Sequence, residues 1–362
     1  MKTKTFWKEA LPYAILLVAF AAAPAVLSSR TWLNTFIMIF VSMVGAVSLR
    51  TISLSGNMSF AQAAFIGVGA YTAGMLGKEL GVSMFLTIPI GALAATALGL
   101  ITGLPFARLR SIYFCMGSMF MGVAITQFIS AFTITGGANG LRGVPSMSKA
   151  LQEVLGEMSS AGSVRACYYF MFILAVISLV CLYRFEHSRI GWTLKALSQS
   201  PEVAASIGIN EKFYRLLSVG VGCFFAGLMG AAYAHYNTTL SPNSYGMGTT
   251  LWLIMYMMIG GSNSFLGPVI GALLLELIKQ APTILTAMSG KSWATPGFVS
   301  FARWVGDSSA YSPFITAAVL LVMAYLIPGG LVSIPSRIRA RKARRREAEL
   351  AAASEGGGND AA

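Results

Sequence analysis

The chain has 362 residues, of which 56% are hydrophobic and only 11% charged, with a formal net charge of +13. Soluble domains carry about 25% charged residues, so this composition excludes an ordinary water-soluble fold and places the chain in a bilayer. The positive charge does not point to nucleic acid: basic residues cluster at the ends of apolar runs and between Arg337 and Arg346, with no basic-aromatic pattern to track a phosphate backbone.

Apolar runs of membrane-spanning length recur along nearly the whole sequence. In chain order the predicted spans are Leu11–Leu27, Trp32–Ile52, Gly56–Leu76, Met84–Leu104, Ile112–Ile134, Tyr168–Tyr183, Leu216–Tyr236, Thr249–Gly261, Phe265–Leu285 and Tyr311–Ile327. The expected fold is an all-α polytopic membrane protein of about ten transmembrane helices, some of them broken or re-entrant. Lys2, Lys4 and Lys8 precede the first run, as in a secretory signal. That run is long and lacks a clean cleavage site, so an uncleaved span is expected. The third and eighth spans are the weakest. The third carries Asn57, Ser59, Gln62 and several glycines, and the eighth is short. Irregular backbone is tolerated at membrane depth only where it is buried in protein or lines a cavity.

Gly91, Ala95, Gly99 and Gly103 make a smooth stripe on the fourth span, and Gly267 and Gly271 one on the ninth. Such stripes let helices approach closely in lipid, so both are read as packing surfaces. Asn57-Met58-Ser59-Phe60 and Asn263-Ser264-Phe265 each lead into a glycine-containing apolar run, a weak internal echo. Cys115, Cys181 and Cys223 lie within apolar runs as packing residues, and Cys167 lies at an edge where exposure is open to it. The chain has only two histidines and no Cys/His cluster with metal-ligand spacing, so no metal or other cofactor is expected. Glu276 and Lys279 share a helical face as a pair near a membrane edge. His235 ends a span and reads as interfacial. The loop Thr135-Gly136-Gly137-Ala138-Asn139-Gly140-Leu141 is either a tight connection or part of an outer mouth.

No catalytic constellation is visible. Gly290-Lys291-Ser292 lacks the preceding glycine of a phosphate-cradling loop, that position being Leu285. The chain therefore carries no ATP-handling chemistry of its own and is not expected to be an enzyme.

One polar island interrupts the apolar sequence, from Arg184 to Arg215. Trp192, Leu194, Ala196 and Leu197 give a helix an apolar edge, Pro201 suits a first helical turn, and Ala204, Ala205, Ile207 and Gly208 form a small surface suited to docking in a partner's cleft. With the N-terminus inside and ten alternating spans, the greater part of the 26 lysines and arginines falls on the cytoplasmic side. The island and the basic tail fall there too. Residues 1–336 are expected to form one transmembrane domain, with a cytoplasmic loop at about 184–215. Residues 337–362 form a basic and then disordered cytoplasmic tail, whose arginines lie against anionic lipid.

Six blocks then carry a family resemblance over about residues 35 to 338. They are GNMSFAQAAFIGVGAYTAGML from Gly56, GLPFARLRSIYF from Gly103, TGGANGLRGVP from Thr135, the stretch Gly191 to Asn210, GGSNSFLGPVIGALLLE from Gly260 and PGGLV from Pro328. In this order they resemble the M-type (LivM-like) permease subunit of branched-chain amino acid ABC importers. The resemblance implies a permease in the bacterial cytoplasmic membrane, multi-pass with both termini cytoplasmic. Its implied partners are a homologous second permease, two cytoplasmic ATPase subunits and an extracytoplasmic substrate-binding protein. It implies inward transport of branched-chain or related solutes by alternating access, and ATPase contact at Glu202, Ala204, Ala205 and Gly208. Asn57, Ser59, Gln62 and Asn139 are the candidates for the pathway and its mouth. Gln62 stands where the family often has histidine, and Met58-Ser59-Phe60 departs from its pattern, which leaves urea, short amides and aromatic carboxylates as alternative solutes. An ion-coupled secondary transporter would need titratable residues along a path, for which only Glu276, Lys279 and His235 are candidates. A channel would need a filter or charged ring, and a membrane enzyme a catalytic cluster; neither is seen.

Overall fold

A computed structural model describes residues 20–24, 29–106, 109, 112–156, 160–262 and 264–289. Most of the predicted first span, the whole of the last, Gly290-Lys291-Ser292, PGGLV and the basic tail lie outside the described residues. Apolar side chains set the helical runs, because in lipid each backbone N–H and C=O must be satisfied within its own segment. Five described helices are long and apolar enough to cross a membrane. They are α1 (Arg30–Ser53), α3 (Met84–Phe106), α4 (Ile112–Ala131), α6 (Ser160–Glu186) and α9 (Glu211–Asn237). The remaining helices are α2 (Gln62–Glu79), α5 (Met147–Leu155), α7 (Arg189–Gln199), α8 (Pro201–Ser206), α10 (Met247–Gly260) and α11 (Leu266–Ser289).

α9 is the hub, packed on α1, α2 and α3, while α11 packs on α1 and α10. The apolar window of α1 is 72% buried and that of α4 only 28%, so α1 is an inner helix and α4 an outer one. The outward faces of α3, α4 and α6 carry Leu104, Phe120 and Ile173, exposed as lipid-facing residues should be.

The α2–α3–α9 seam is built from missing side chains. A methyl on Gly69 would collide with the backbone of Gly227, and one on Gly91 would stand 2.7 Å from the Gly69 carbonyl oxygen. Gly99 faces Cys223 and Gly103 faces Leu216. The stripe is thus a packing surface, as expected. Gly267 and Gly271 do the same for α10 and α11, against the backbone of Gly260 and Tyr256.

The two weak spans are the irregular ones. The third becomes a helix only at Gln62, after a non-helical stretch at 54–61. The eighth is the 14-residue α10, about 21 Å long against a hydrocarbon core of about 30 Å. Two features were not foreseen. Leu141–Arg142 (β1) pairs antiparallel with Thr239–Leu240 (β2), and the short amphipathic helix α5 follows β1. Cys223 is buried against Gly99 as a packing residue, as expected, whereas Cys181 is exposed on α6 and Cys167 is buried beside Ser148 rather than exposed.

Candidate functional site

Residues 54–61 join α1 to α2 through a turn in which Gly56 takes φ +84°, a left-handed conformation that favours glycine. Asn57, Ser59 and Gln62 are all buried. Backbone donors freed by the break are taken by hydroxyls from other elements. Phe60 N–H donates to Ser118 Oγ of α4 (3.0 Å) and Ala63 N–H to Thr250 Oγ1 of α10 (3.1 Å). A second irregular segment runs beside it. The Tyr71 hydroxyl donates to the Leu240 carbonyl (3.2 Å), Tyr245 lies against Gly67 and Thr250 meets Ala63, so residues 240–250 run down α2 before and into α10. The expectation that the third and eighth segments are broken thus resolves into two interrupted segments side by side.

Gln62, the first residue of α2, faces α1 and α9. Its Nε2 donates to Ser48 Oγ (2.8 Å) and to the Gly222 carbonyl (3.2 Å). The Ser48 hydroxyl gives its one proton to the Gly45 carbonyl (2.8 Å), so Ser48 and Gly222 can both only accept. This fixes the orientation of the amide. Gln62 Oε1 is left as a buried acceptor without a hydrogen-bond partner. Such an atom forfeits about 1–3 kcal/mol of solvation.

Asn139 lies apart from these three. It closes a 3-10 turn, Gly137–Asn139, at the other end of the bundle. There it lines a recess of about 540 Å³ with Lys78, Arg142 and the backbone of Gly136 and Gly140. The β1–β2 pair supports this rim. A side chain on Gly140 would run into the Leu240 carbonyl, so the close approach of the two strands needs glycine.

The polar island folds as two short helices. Ser188 caps α7, its Oγ accepting from Gly191 N–H (3.4 Å). Gly191, Leu194 and Leu197 face inward, whereas Trp192 is 64% exposed. The predicted apolar edge is therefore split. Leu194 and Leu197 hold α7 down, while Trp192 and Ala196 face out. α8 starts at Pro201 and ends on a Schellman cap: Gly208, at φ +84°, donates to the Ala205 carbonyl (3.0 Å) and Ile209 to that of Ala204 (3.1 Å). Glu202, Ala205 and Gly208 are exposed, together with Val203 and Ile207 one turn apart. Ala204 is buried, so it does not belong to the outward surface predicted for it. A six-residue helix has one inward face, and residue 204 occupies it.

Between this loop and the bundle lies an ion cluster that the sequence reading missed. Glu186, the last residue of α6, is 4% exposed and Arg50 of α1 is 3% exposed. Arg50 grips both carboxylate oxygens: Nη2 donates to Oε1 at 3.0 Å, and Nη1 pairs with Oε2. Arg50 Nε also donates to the Ser262 carbonyl (3.1 Å), in the turn between α10 and α11. From the loop side, Lys195 of α7 reaches the same Oε1 at 2.9 Å, and its ammonium lies 5.3 Å from the centre of the Trp192 ring. Beforehand, the sequence offered only Arg50 at the end of one apolar run and Glu186 at the end of another.

Glu276 and Lys279 pair as expected at 3.4 Å, but Glu276 is 2% exposed and accepts from the Tyr256 hydroxyl (2.6 Å), which locks α11 to α10. His235, in the last turn of α9, is fully buried, with ring nitrogens 2.7 Å from Thr87 Oγ1 and 3.0 Å from the Pro145 carbonyl. It ties α9 to α3 and to the loop before α5. Among the described residues there is no group of three or more His, Cys, Asp or Glu able to hold a metal ion.

The sequence of the chain has relatives among known proteins. The chain is 25% identical over 291 residues to the high-affinity branched-chain amino acid transport system permease protein LivM of Escherichia coli, covering 75% of this chain and 68% of that protein. LivM of Salmonella typhimurium is 24% identical over 284 residues, covering 74% and 67%. The nucleoside ABC transporter permease protein NupC of Lactococcus lactis is 24% identical over 297 residues, covering 78% and 90%. No solved structure matches the chain. The family model described as the branched-chain amino acid transport system permease component matches residues 31–324. The chain therefore belongs to that family of multi-pass membrane permeases.

Proposed function

We propose that the chain is the membrane-spanning subunit of an ATP-driven importer that moves branched-chain or other hydrophobic amino acids, or a related small polar solute, inward by alternating access. The observation that carries this reading is the loop at 187–210. It presents exposed apolar side chains in a charged setting, where Trp192, Val203 and Ile207 have no cover. Its position beside the irregular segment 54–61, where Ser198 abuts Gly56, supports a part in driving the bundle. In this reading ATP hydrolysis resides on two cytoplasmic ATPase subunits, which contact Glu202, Ala205 and Gly208, with Ala204 setting how closely α8 lies on the bundle. Asn57, Ser59 and Gln62 belong to the pathway, and Asn139 to its outer mouth. A homologous second permease completes the pore, and an extracytoplasmic binding protein delivers solute. Charge asymmetry favours cytoplasmic termini, one membrane domain over 1–336 and a lipid-facing tail over 337–362.

A second solute class has its own support. NupC is matched over 90% of its length, more than either LivM protein. A nucleoside is therefore the alternative cargo. Uptake of leucine and of adenosine by cells carrying or lacking the permease separates the two. Deleting the partner ATPases is expected to abolish uptake; uptake that survives would sink the importer reading. Glu202→Ala combined with Gly208→Trp is expected to prevent ATPase co-purification. Assembly and uptake at the original level would remove the docking assignment.

A further inference from the structure

We infer that Lys195, Glu186 and Arg50 form a relay of positioning residues that passes movement of the cytoplasmic loop to the interrupted segments. The inference rests on the importer reading above. Lys195 belongs to α7, Glu186 to the end of α6, and Arg50 to the end of α1. Arg50 then holds the carbonyl of Ser262, in the turn that links α10 to α11 (3.1 Å). The chain of contacts therefore begins on the loop and ends in the turn after α10, the helix into which the second interrupted segment runs. A second contact runs in parallel: a methyl on Gly56 would stand 3.3 Å from Cα of Ser198, one turn beyond Lys195. α7 thus touches the turn before α2 directly and the turn after α10 through the ions.

The chemistry of the cluster suits a movable joint better than a plain anchor. Replacing a buried ion pair by apolar residues is often neutral or stabilising, so stability alone does not call for three charges here. Glu186 Oε1 is shared, accepting from Arg50 Nη2 at 3.0 Å and Lys195 Nζ at 2.9 Å. Displacing α7 withdraws one of two cations from a single oxygen and leaves the carboxylate to Arg50 alone. That is a differential interaction between two arrangements, which a driven conformational change requires. The outer end is accessible to a partner. The Lys195 side chain is 33% exposed and lies over the exposed Trp192 ring, so a protein seated on Trp192 bears on Lys195. The two inner members are 3% and 5% exposed at their side chains, so water does not screen the step between them.

The test uses the full complex of the chain with its second permease and ATPases. The four native cysteines are replaced, and Met58→Cys, at a half-buried position, serves as reporter within 54–61. Maleimide labelling is compared in the nucleotide-free and the ATP–vanadate-trapped complex. With Lys195 and Glu186 intact, trapping is expected to change the labelling rate about 5-fold or more, the lower end of ordinary coupling between sites. Lys195→Met and Glu186→Gln are expected to lose that response while ATPase subunits still co-purify. Lys195→Met leaves the buried Arg50–Glu186 pair whole, so it remains informative where Glu186→Gln fails to assemble. Lys195→Arg is expected to restore the response. An undiminished response in assembled Lys195→Met complexes would overturn the relay alone. No response with Lys195 and Glu186 intact, despite bound and hydrolysing ATPases, would overturn the importer reading and the relay with it.

Discussion

The glycine seam of α2, α3 and α9 and the interrupted segments at 54–61 and 239–246 solve opposite problems. In the seam, Gly69, Gly91 and Gly227 bring backbones together by having nothing to place between them. Its backbone hydrogen bonds close within each helix, so the close approach at these glycines needs only shape. In the interrupted segments the backbone has left the helix, and its donors depend on hydroxyls from other elements: Ser118 for Phe60 and Thr250 for Ala63. The seam has one good arrangement. The broken segments are held by individual hydrogen bonds, each of net worth about 0.5–1.5 kcal/mol, and can exchange them. Rigid helices beside exchangeable turns are what the proposed alternating access requires.

That contrast can be broken by substitution. Gly69→Leu should do the most damage, because its side chain meets the Gly227 backbone, which has no rotamer to turn away. A loss above about 3 kcal/mol is expected, beyond the usual range for overpacking, seen as failure to recover monodisperse protein in detergent. Thr250→Val should cost about 1–3 kcal/mol by leaving the Ala63 N–H unpaired, and Thr250→Ser should restore the lost melting temperature. If Thr250→Val melts unchanged, water or another group satisfies that donor and the account of the break is wrong. Gln62→Met sharpens the comparison from the other side. It removes a buried acceptor that has no partner, so stability should hold within about 1 kcal/mol while uptake falls. Normal uptake would take Gln62 off the pathway. The smallest effect on stability, within about 0.5 kcal/mol, is expected for Val203→Ser with Ile207→Ser on the exposed loop. Their effect belongs in ATPase co-purification, and a large fall in melting temperature instead would mean that they pack inside the subunit.

Several elements were legible because their signals are local. The interruption of the third span shows in Asn57, Ser59 and Gln62 within an apolar run, and that of the eighth in its length. The small-residue stripe on α3 shows in its four-residue spacing. The end of α8 shows in Gly208, which the cap requires at positive φ. Other features were not legible. His235 ends a span, and nothing nearby in sequence shows that Pro145 and Thr87, from two other parts of the chain, enclose it. Cys167 sits at the edge of a run and is covered by packing around α5 and α6. The inward turn of Ala204 and the outward turn of Trp192 depend on how the loop lies against the bundle, and an apolar edge read along one helix cannot tell which side is covered.

By itself, the sequence determined the solvent, the helical class, the places where helices fail and the surfaces that approach closely. Each of these follows from side chains within a few residues of one another, through hydropathy, spacing and backbone freedom. Tertiary structure alone decided which charges meet. Arg50 and Glu186 stand 136 residues apart, and each taken singly is an ordinary residue at a membrane edge. Only the packing of α1 against α6 makes them partners. Only the fold of the loop adds Lys195, because electrostatic interaction depends on distance in space and the sequence carries no measure of it.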